Sequence, residues 1–266
     1  MTDALVSIIM PTYNAGRFIA DSIESILAQT YPHWELLITD DHSTDPLTLD
    51  TLRRYEKQDG RINVVYLTEN RGPGYSRNKS IERAAGRYIA FCDGDDCWMP
   101  DKLERQLAYM EEQQCALCYA SYILRDENDT DRGIVIAPKQ ITLRQLKHDN
   151  KVGCLTAVYD TKRLGQKYFM PALRKRQDWA LFLNILKQCG TACAITDPLA
   201  YYRIRQQSVS SNKLGLIKYN VLVYQKVFGY SPLKARLYFT FIFLPTHFWK
   251  LLRRQIDSWR FLRKKK

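Results

Sequence analysis

The strongest constraint on this chain is an alternation within its first hundred residues. Apolar runs at 5–10, 34–39, 62–67 and 87–92 have the length of strands. Between them apolar residues recur at helical spacing, as Phe18, Ile19, Ile23, Ile26 and Leu27 do. Strand and helix in regular turn predict an α/β class, with parallel strands joined by right-handed crossovers. Ligands of such sheets sit beyond the carboxyl ends of the strands. Asn14, Asp41, Arg71 and the Asp93–Asp96 cluster each follow an expected strand, so their loops are expected to converge.

The last of these loops, Asp93-Gly94-Asp95-Asp96, crowds three carboxylates together. Like charges this close repel, so something must compensate them. A hard divalent cation, Mn²⁺ or Mg²⁺, itself bound to a diphosphate, is the economical answer. A simpler reading makes Asp96 the cap of a helix opening near Met99-Pro100-Asp101; that accounts for one acid and not for three. Asp41 is read either as a turn residue with Ser43 and Thr44 or as an acceptor for a base N–H or sugar hydroxyls. Arg71 is either a surface ion pair or a fixed cationic fork beside the acids. Gly72 and Gly74 let backbone approach a ligand, but no phosphate-cradling NTPase loop is present.

Beyond residue 101 the pattern loosens. A helix to about 114, strands at 115–125 and 152–159, and an apolar run at 191–205 are expected, with 141–151 weakly patterned. Arg174-Lys175-Arg176-Gln177-Asp178-Trp179 opens a further helix through 188. Asp178 is a helix cap in one reading. In the other it is a general base, partly desolvated by Trp179 and kept ionised by Lys175 and Arg176. Cys115 and Cys118 form a lone C-x-x-C in an apolar run and read as strand core. Seven cysteines without a paired framework fit a reducing cytoplasm.

The net charge of +12 is unevenly placed. Residues 213–266 hold 13 of the 40 lysines and arginines but one of the 28 acids, Asp257; the remaining 27 of each cancel. On a helical wheel from residue 248, Phe248, Leu251, Leu252, Ile256, Trp259 and Leu262 share one face, and Lys250, Arg253, Arg254, Asp257, Arg260 and Lys264 the other. An apolar face with aromatics opposite a cationic face describes a helix lying in a lipid interface, and residues 232–266 are expected to meet an anionic membrane surface. The alternative is a helix packed on the protein's own core with its basic face solvated. No run of about 18 uncharged apolar residues is present, so a spanning helix is not expected. The start of the sequence leaves no room for a signal peptide.

Five motifs, in order and suitably spaced, resemble the family 2 glycosyltransferases. They are Val6-Ser-Ile-Ile-Met-Pro-Thr-Tyr-Asn14, Asp40-Asp41-His-Ser-Thr-Asp45, Asn70-Arg-Gly-Pro-Gly-Tyr-Ser-Arg-Asn78, Asp93-Gly-Asp-Asp96 and Arg176-Gln-Asp-Trp179. The likeness covers roughly residues 4–210. It implies an inverting, nucleotide-sugar-dependent enzyme with the GT-A fold. By the same resemblance Pro11 and Tyr13 line the nucleobase pocket and Asp41 hydrogen-bonds the base, usually uracil. Arg71 contacts the base or a nearby phosphate, and Arg77 and Asn78 shape the pocket floor. Asp93 binds the ribose, Asp95 the Mn²⁺ or Mg²⁺ ion, and Asp178 is the catalytic base. Many relatives carry a histidine where this chain has Arg205, within the segment Tyr202 to Ser208; Arg205 is expected to bind the leaving diphosphate instead.

These readings divide the chain into a nucleotide-sugar half at 1–100, an acceptor half at 101–212 and a basic amphipathic tail at 213–266. The expected activity moves a hexose from a UDP-sugar, UDP-glucose or UDP-galactose, to a lipid-linked saccharide on the inner face of the cell membrane. Two alternatives stand beside it. One is nucleic-acid binding through the tail, disfavoured because phosphate binding needs no apolar face. The other is a metal-dependent nucleotidyltransferase, which lacks a glycine-rich triphosphate loop near its first strand.

Overall fold

The computed structural model describes residues 3–205 and 213–264. The order is β1 (Val6–Thr12), α1 (Ile19–Leu27), β2 (Trp34–Asp40), α2 (Pro46–Gln58), β3 (Ile62–Tyr66), α3 (Pro73–Arg83), β4 (Tyr88–Phe91) and β5 (Cys97–Trp98). Then come α4 (Lys102–Glu112), β6 (Leu117–Arg125), β7 (Asp131–Val135), β8 (Gln140–Thr142), α5 (Leu143–His148), β9 (Val158–Asp160), α6 (Thr161–Leu164), α7 (Gln177–Cys189) and β10 (Thr191–Arg203). The tail forms α8 (Lys213–Phe228), α9 (Pro232–Tyr238), a π-helical turn at Phe239–Phe243 and α10 (Leu244–Lys264).

One sheet runs β3-β2-β1-β4-β9-β6-β10-β5, with β7 added on β6 and β8 on β10. β1 pairs in parallel with β2 and β4, Met10 opposite Ile38 and Ile9 opposite Phe91. The chain winds outward from β1 to β3 and returns on the other side as β4. The gap between β1 and β4 is therefore a topological switch point, where ligands of open sheets bind. β1 and β4 are wholly buried, as strands covered on both faces must be. Val6, Ile8 and Met10 point to the layer of α1, α2 and α4, and Ile9 to the layer of α3 and α7, by the two-residue period of a strand.

The second half departs from the simple alternation. β9 runs antiparallel to β4 and β6, and only its first two residues, Val158 and Tyr159, are strand within the stretch expected at 152–159. The rest is a 3₁₀ turn at Cys154–Thr156, held because the Thr156 hydroxyl donates to Gly153 and Ala120 carbonyls. The weakly patterned 141–151 resolves into β8 and α5, opened by a capping box between Thr142 and Gln145. Asp96 caps no helix. α4 begins only at Lys102, and Asp96 accepts instead from the Arg203 backbone N–H at 3.0 Å. Cys115 and Cys193 are joined by a disulfide, where the sequence showed no pairing. The adjacency of β6 and β10 brings them together, and no local pattern reports that adjacency.

The tail shares the core of the body. Tyr224, Ala235, Phe239 and Phe243 belong to the apolar cluster around Trp179, whose ring lies 5.6 Å from that of Tyr224 and 5.4 Å from that of Phe243. Pro232 starts α9. Pro245 does not stop the long helix, because the π-helical turn before it takes up the bond a proline cannot donate. α10 then lies along β7. The Ser258 hydroxyl donates to Ile134 O and accepts from Ile134 N, and a Cβ on Gly133 would stand 2.3 Å from Ser258 Oγ. The docked side of α10 is polar: His247 and Lys250 meet Asp149 at 3.2 and 2.8 Å. Phe248, Trp249, Ile256 and Trp259 point outward, Trp249 70% exposed. Both faces of the expected wheel are split: Leu251, Leu252 and Leu262 are half-buried, whereas Arg253, Arg254 and Arg260 are exposed alongside Phe248, Ile256 and Trp259. Among the described residues no helix is long and apolar enough to cross a membrane.

Candidate active site

Three loops meet at the switch point. After β1, Asn14 adopts a left-handed conformation (φ 46°), and its side-chain oxygen accepts from Thr44 N and Asp45 N, tying the first loop to the second. Pro11 is buried at the end of β1, and Tyr13 is half exposed above it. Asp40 is the turn former, accepting from Ser43 N and its hydroxyl. Asp41 is buried and splayed across the third loop, one oxygen accepting from Arg71 N at 2.8 Å and the other from Gly72 N at 2.7 Å. The Arg71 side chain lies over the Tyr75 ring at 4.1 Å and near Glu69 at 3.6 Å. Asn78 makes a two-way amide pair with the backbone of Met170, clamping α3 to the segment that leads into α7.

The acidic loop is neutralised unequally. Asp93 pairs with the buried Arg77 at 2.5 Å. Burial opposes the Arg77 charge, but Asp93, Cys154 and Asp178 around it hold the guanidinium protonated beyond its ordinary range. Asp95 takes one contact from Arg205, at 3.1 Å. Burial first and Asp93 second push the Asp95 carboxyl upward, with Arg205 opposing them. Asp96 is buried on the Arg203 backbone and pushed well up by burial, then by Asp95 and Asp93. Two arginines thus share the compensation expected of a cation alone. Arg203 braces the loop from below, donating to Asp95 O and reaching Asp129 and Asp21.

Asp178 lies in the first turn of α7 and is not its cap; that position is Arg176, in a left-handed conformation with φ 65°. A Cβ on Gly74 would meet Gln177 Cγ at 3.2 Å, so that glycine lets the starts of α3 and α7 touch. This contact carries Asp178 to the acidic loop. Arg77 and Cys154 are both within electrostatic reach of Asp93 and Asp178. Asn150 donates to Asp178 Oδ2 at 3.4 Å. Trp179 is buried and donates to Leu146 O at 2.8 Å, fixing the helix beneath the carboxylate.

Pro11, Tyr13, Asp41, Arg71, Arg77, Asn78, Asp93, Asp95, Arg205 and Asp178 therefore sit on loops and helix starts at one end of the sheet. Residues 206–208 of the last motif lie outside the described residues. Asn150 and Arg203 were missed by sequence reasoning. Arg203 stood inside a motif already singled out; Asn150 gave no local signal.

A switch point ringed by an acidic loop, flanking arginines and one separate carboxylate goes with a GT-A fold. The model of Glycosyl transferase family 2 matches residues 7–166. TuaG of Bacillus subtilis, whose name provisionally assigns it to teichuronic acid biosynthesis, is 45% identical over 232 residues, 87% of this chain and 91% of that one. WfgD of Escherichia coli, a UDP-Glc:alpha-D-GlcNAc-diphosphoundecaprenol beta-1,3-glucosyltransferase, is 39% identical over 225 residues, 82% and 84% of the two chains. The solved structure of S. aureus TarS 1-349 in complex with UDP-GlcNAc superposes with a TM-score of 0.67 at 21% identity, covering 91% of this chain and 72% of that one. This chain belongs to glycosyltransferase family 2.

Proposed function

We propose that this enzyme is an inverting hexosyltransferase that takes its sugar from a UDP-sugar, UDP-glucose or UDP-galactose, and gives it to a lipid-linked saccharide in a β-linkage. The observation that carries the reading is the acidic loop at the switch point, with Asp93 on buried Arg77 and Asp95 on Arg205, beside a first turn of α7 that holds Asp178 and touches α3 at Gly74. A lone carboxylate facing a donor site is what a single in-line displacement needs, and no second carboxylate nucleophile is called for. The donor and acceptor of WfgD, close in sequence over most of both chains, support the choice of substrates.

In this reading Pro11 and Tyr13 wall the base pocket. Asp41, oriented by the 71–72 backbone, accepts from the base through its remaining lone pairs, and Arg71 covers the base or the first phosphate. Asn78 and Arg77 form the floor, and Asp93 receives the ribose. Arg205 sits where it can follow the leaving diphosphate and neutralise charge as the C1–O bond breaks. Asp178 takes the acceptor hydroxyl's proton while that oxygen attacks C1 from the opposite face.

Asp95 fits a hard divalent cation: it is a half-buried oxygen donor beside Asp93, and Arg205 is its one cationic contact among the described residues. Among the described residues no three acidic, histidine or cysteine side chains form a cage. The protein would thus supply one or two oxygens and the substrate the others. Bound there, Mn²⁺ or Mg²⁺ supplies Lewis-acid stabilisation of the departing diphosphate.

The outward stripe of α10 supports a peripheral seat on the inner face of the membrane, with its aromatics in the interface and Arg253, Arg260 and Arg263 toward anionic headgroups.

The test is a panel of nucleotide sugars with a synthetic diphospholipid-linked sugar acceptor, in Mn²⁺, Mg²⁺ or EDTA, and NMR of the product. Consumption of UDP-glucose or UDP-galactose, a β-linkage and loss in EDTA are expected. An α-linkage would overturn the single-displacement reading.

A further inference from the structure

Most arginines at this end of the sheet have a carboxylate partner, as Arg77, Arg125, Arg203 and Arg205 do. Arg176 and Arg254 do not: among the described residues neither makes an ion pair, and Arg176 Nε is buried without a hydrogen-bond partner. Arg176 stands two residues before Asp178 and adopts the left-handed backbone that few residues other than glycine tolerate. Arg254 lies one turn beyond Lys250 on α10 and is exposed.

Both act on one neighbourhood. Burial pushes the Lys250 ammonium down; Asp149 beside it opposes this, and Arg176 and Arg254 add to it. Lys250 donates to Asn150 O at 2.6 Å, and Asn150 donates in turn to Asp178. Tyr122 is within electrostatic reach of Arg254 as well as of Asp96 and Asp178. The anions facing this group are Asp149, already shared by His247 and Lys250, Asp178, and Asp257, which pairs with Arg253 at 3.8 Å. Positive charge is left over, between the outward apolar stripe of α10 and Asp178.

We propose that Arg176 and Arg254 seat the diphosphate of the acceptor, between its lipid, held along the α10 stripe, and its sugar hydroxyl, presented to Asp178. The proposal rests on the lipid-linked acceptor argued above. The order of features along the protein, apolar then cationic then basic carboxylate, matches the order lipid, diphosphate, sugar in such a molecule. Guanidinium groups suit it because they bind phosphate oxygens in pairs. Lys250 positions Asn150 and, through it, Asp178.

The experiment compares two acceptors with the same sugar, one an alkyl diphosphate and one a plain alkyl glycoside, in detergent. Wild type, Arg176→Gln, Arg254→Gln, the double variant and a control, Arg253→Gln, are assayed. Each single variant is expected to raise KM for the diphosphate acceptor about tenfold, the strength of a charge-assisted contact. The double variant raises it further. Donor KM stays near wild type, Arg254→Gln keeps wild-type kinetics with the alkyl glycoside, which also reports an intact fold, and the control changes neither acceptor. An equal loss with both acceptors, a rise in donor KM, or no change in KM overturns the proposal. Wild-type enzyme that uses both acceptors alike overturns the lipid-linked reading itself, and needs no variant to do so.

Discussion

Lys102 and Asp95 are both charged groups in poor surroundings, and they differ in what surrounds them. Lys102 is fully buried, its ammonium 3.8 Å over the Trp98 ring and without a hydrogen-bond acceptor among the described residues. Burial drives its pKa down to about 7, with Cys92 and Cys118 opposing weakly. The native lysine is therefore neutral between pH 7 and about 10, where the unfolded chain keeps it protonated. The unfolded state binds the extra proton, so stability from this group rises with pH through that window, and the penalty is complete below pH 7. Lys102→Met is expected to raise Tm by about 5 °C or more at pH 7, with the gain shrinking toward pH 10. A gain equal at both pH values would show that packing, not charge, is responsible. Asp95 has Arg205 and an expected cation to answer its burial. Asp95→Ala is expected to lower transfer at least about 100-fold and to remove the divalent dependence of donor binding, read by titration calorimetry. Retained dependence would move the metal elsewhere.

At the scale of elements, α10 is held by a narrow contact. The Cβ of Gly133→Ala would press on Ser258, so the variant should lift the helix from β7. Hydrogen exchange across 246–261 is then expected to rise about tenfold, with the strands of the sheet unchanged; unchanged exchange in the helix would contradict this account of its docking. What could be read beforehand followed the same division of scales. The first four strands and α2 were visible to within a residue or two, because their signals are local: apolar runs, and Asp45 with Pro46 opening the helix. The loops of the site were visible for the same reason. Three things were not. The antiparallel β9 depends on which strands become neighbours. Asn150 touches Asp178 only through that arrangement. The docked side of α10 was opaque because a helical wheel shows two faces and does not say which one meets β7. Lys250 reads as a solvated cation until Asp149 is placed beneath it.

At the scale of the whole molecule, the sheet's one end gathers the donor loops, α7 brings the carboxylate, and the tail adds an outward apolar stripe. Replacing Phe248, Trp249, Ile256 and Trp259 by serine is expected to weaken binding to anionic vesicles at least tenfold in sedimentation, with little change in Tm because these side chains touch no core. Unchanged vesicle binding would detach the stripe from the membrane. The central claim is that Asp178 works on the acceptor and not on the donor. Single-turnover transfer by wild type and Asp178→Asn, at saturating UDP-sugar and acceptor, tests it. The account predicts a rate lower by about 100-fold or more with donor affinity within about threefold of wild type; transfer by Asp178→Asn at the wild-type rate would contradict it.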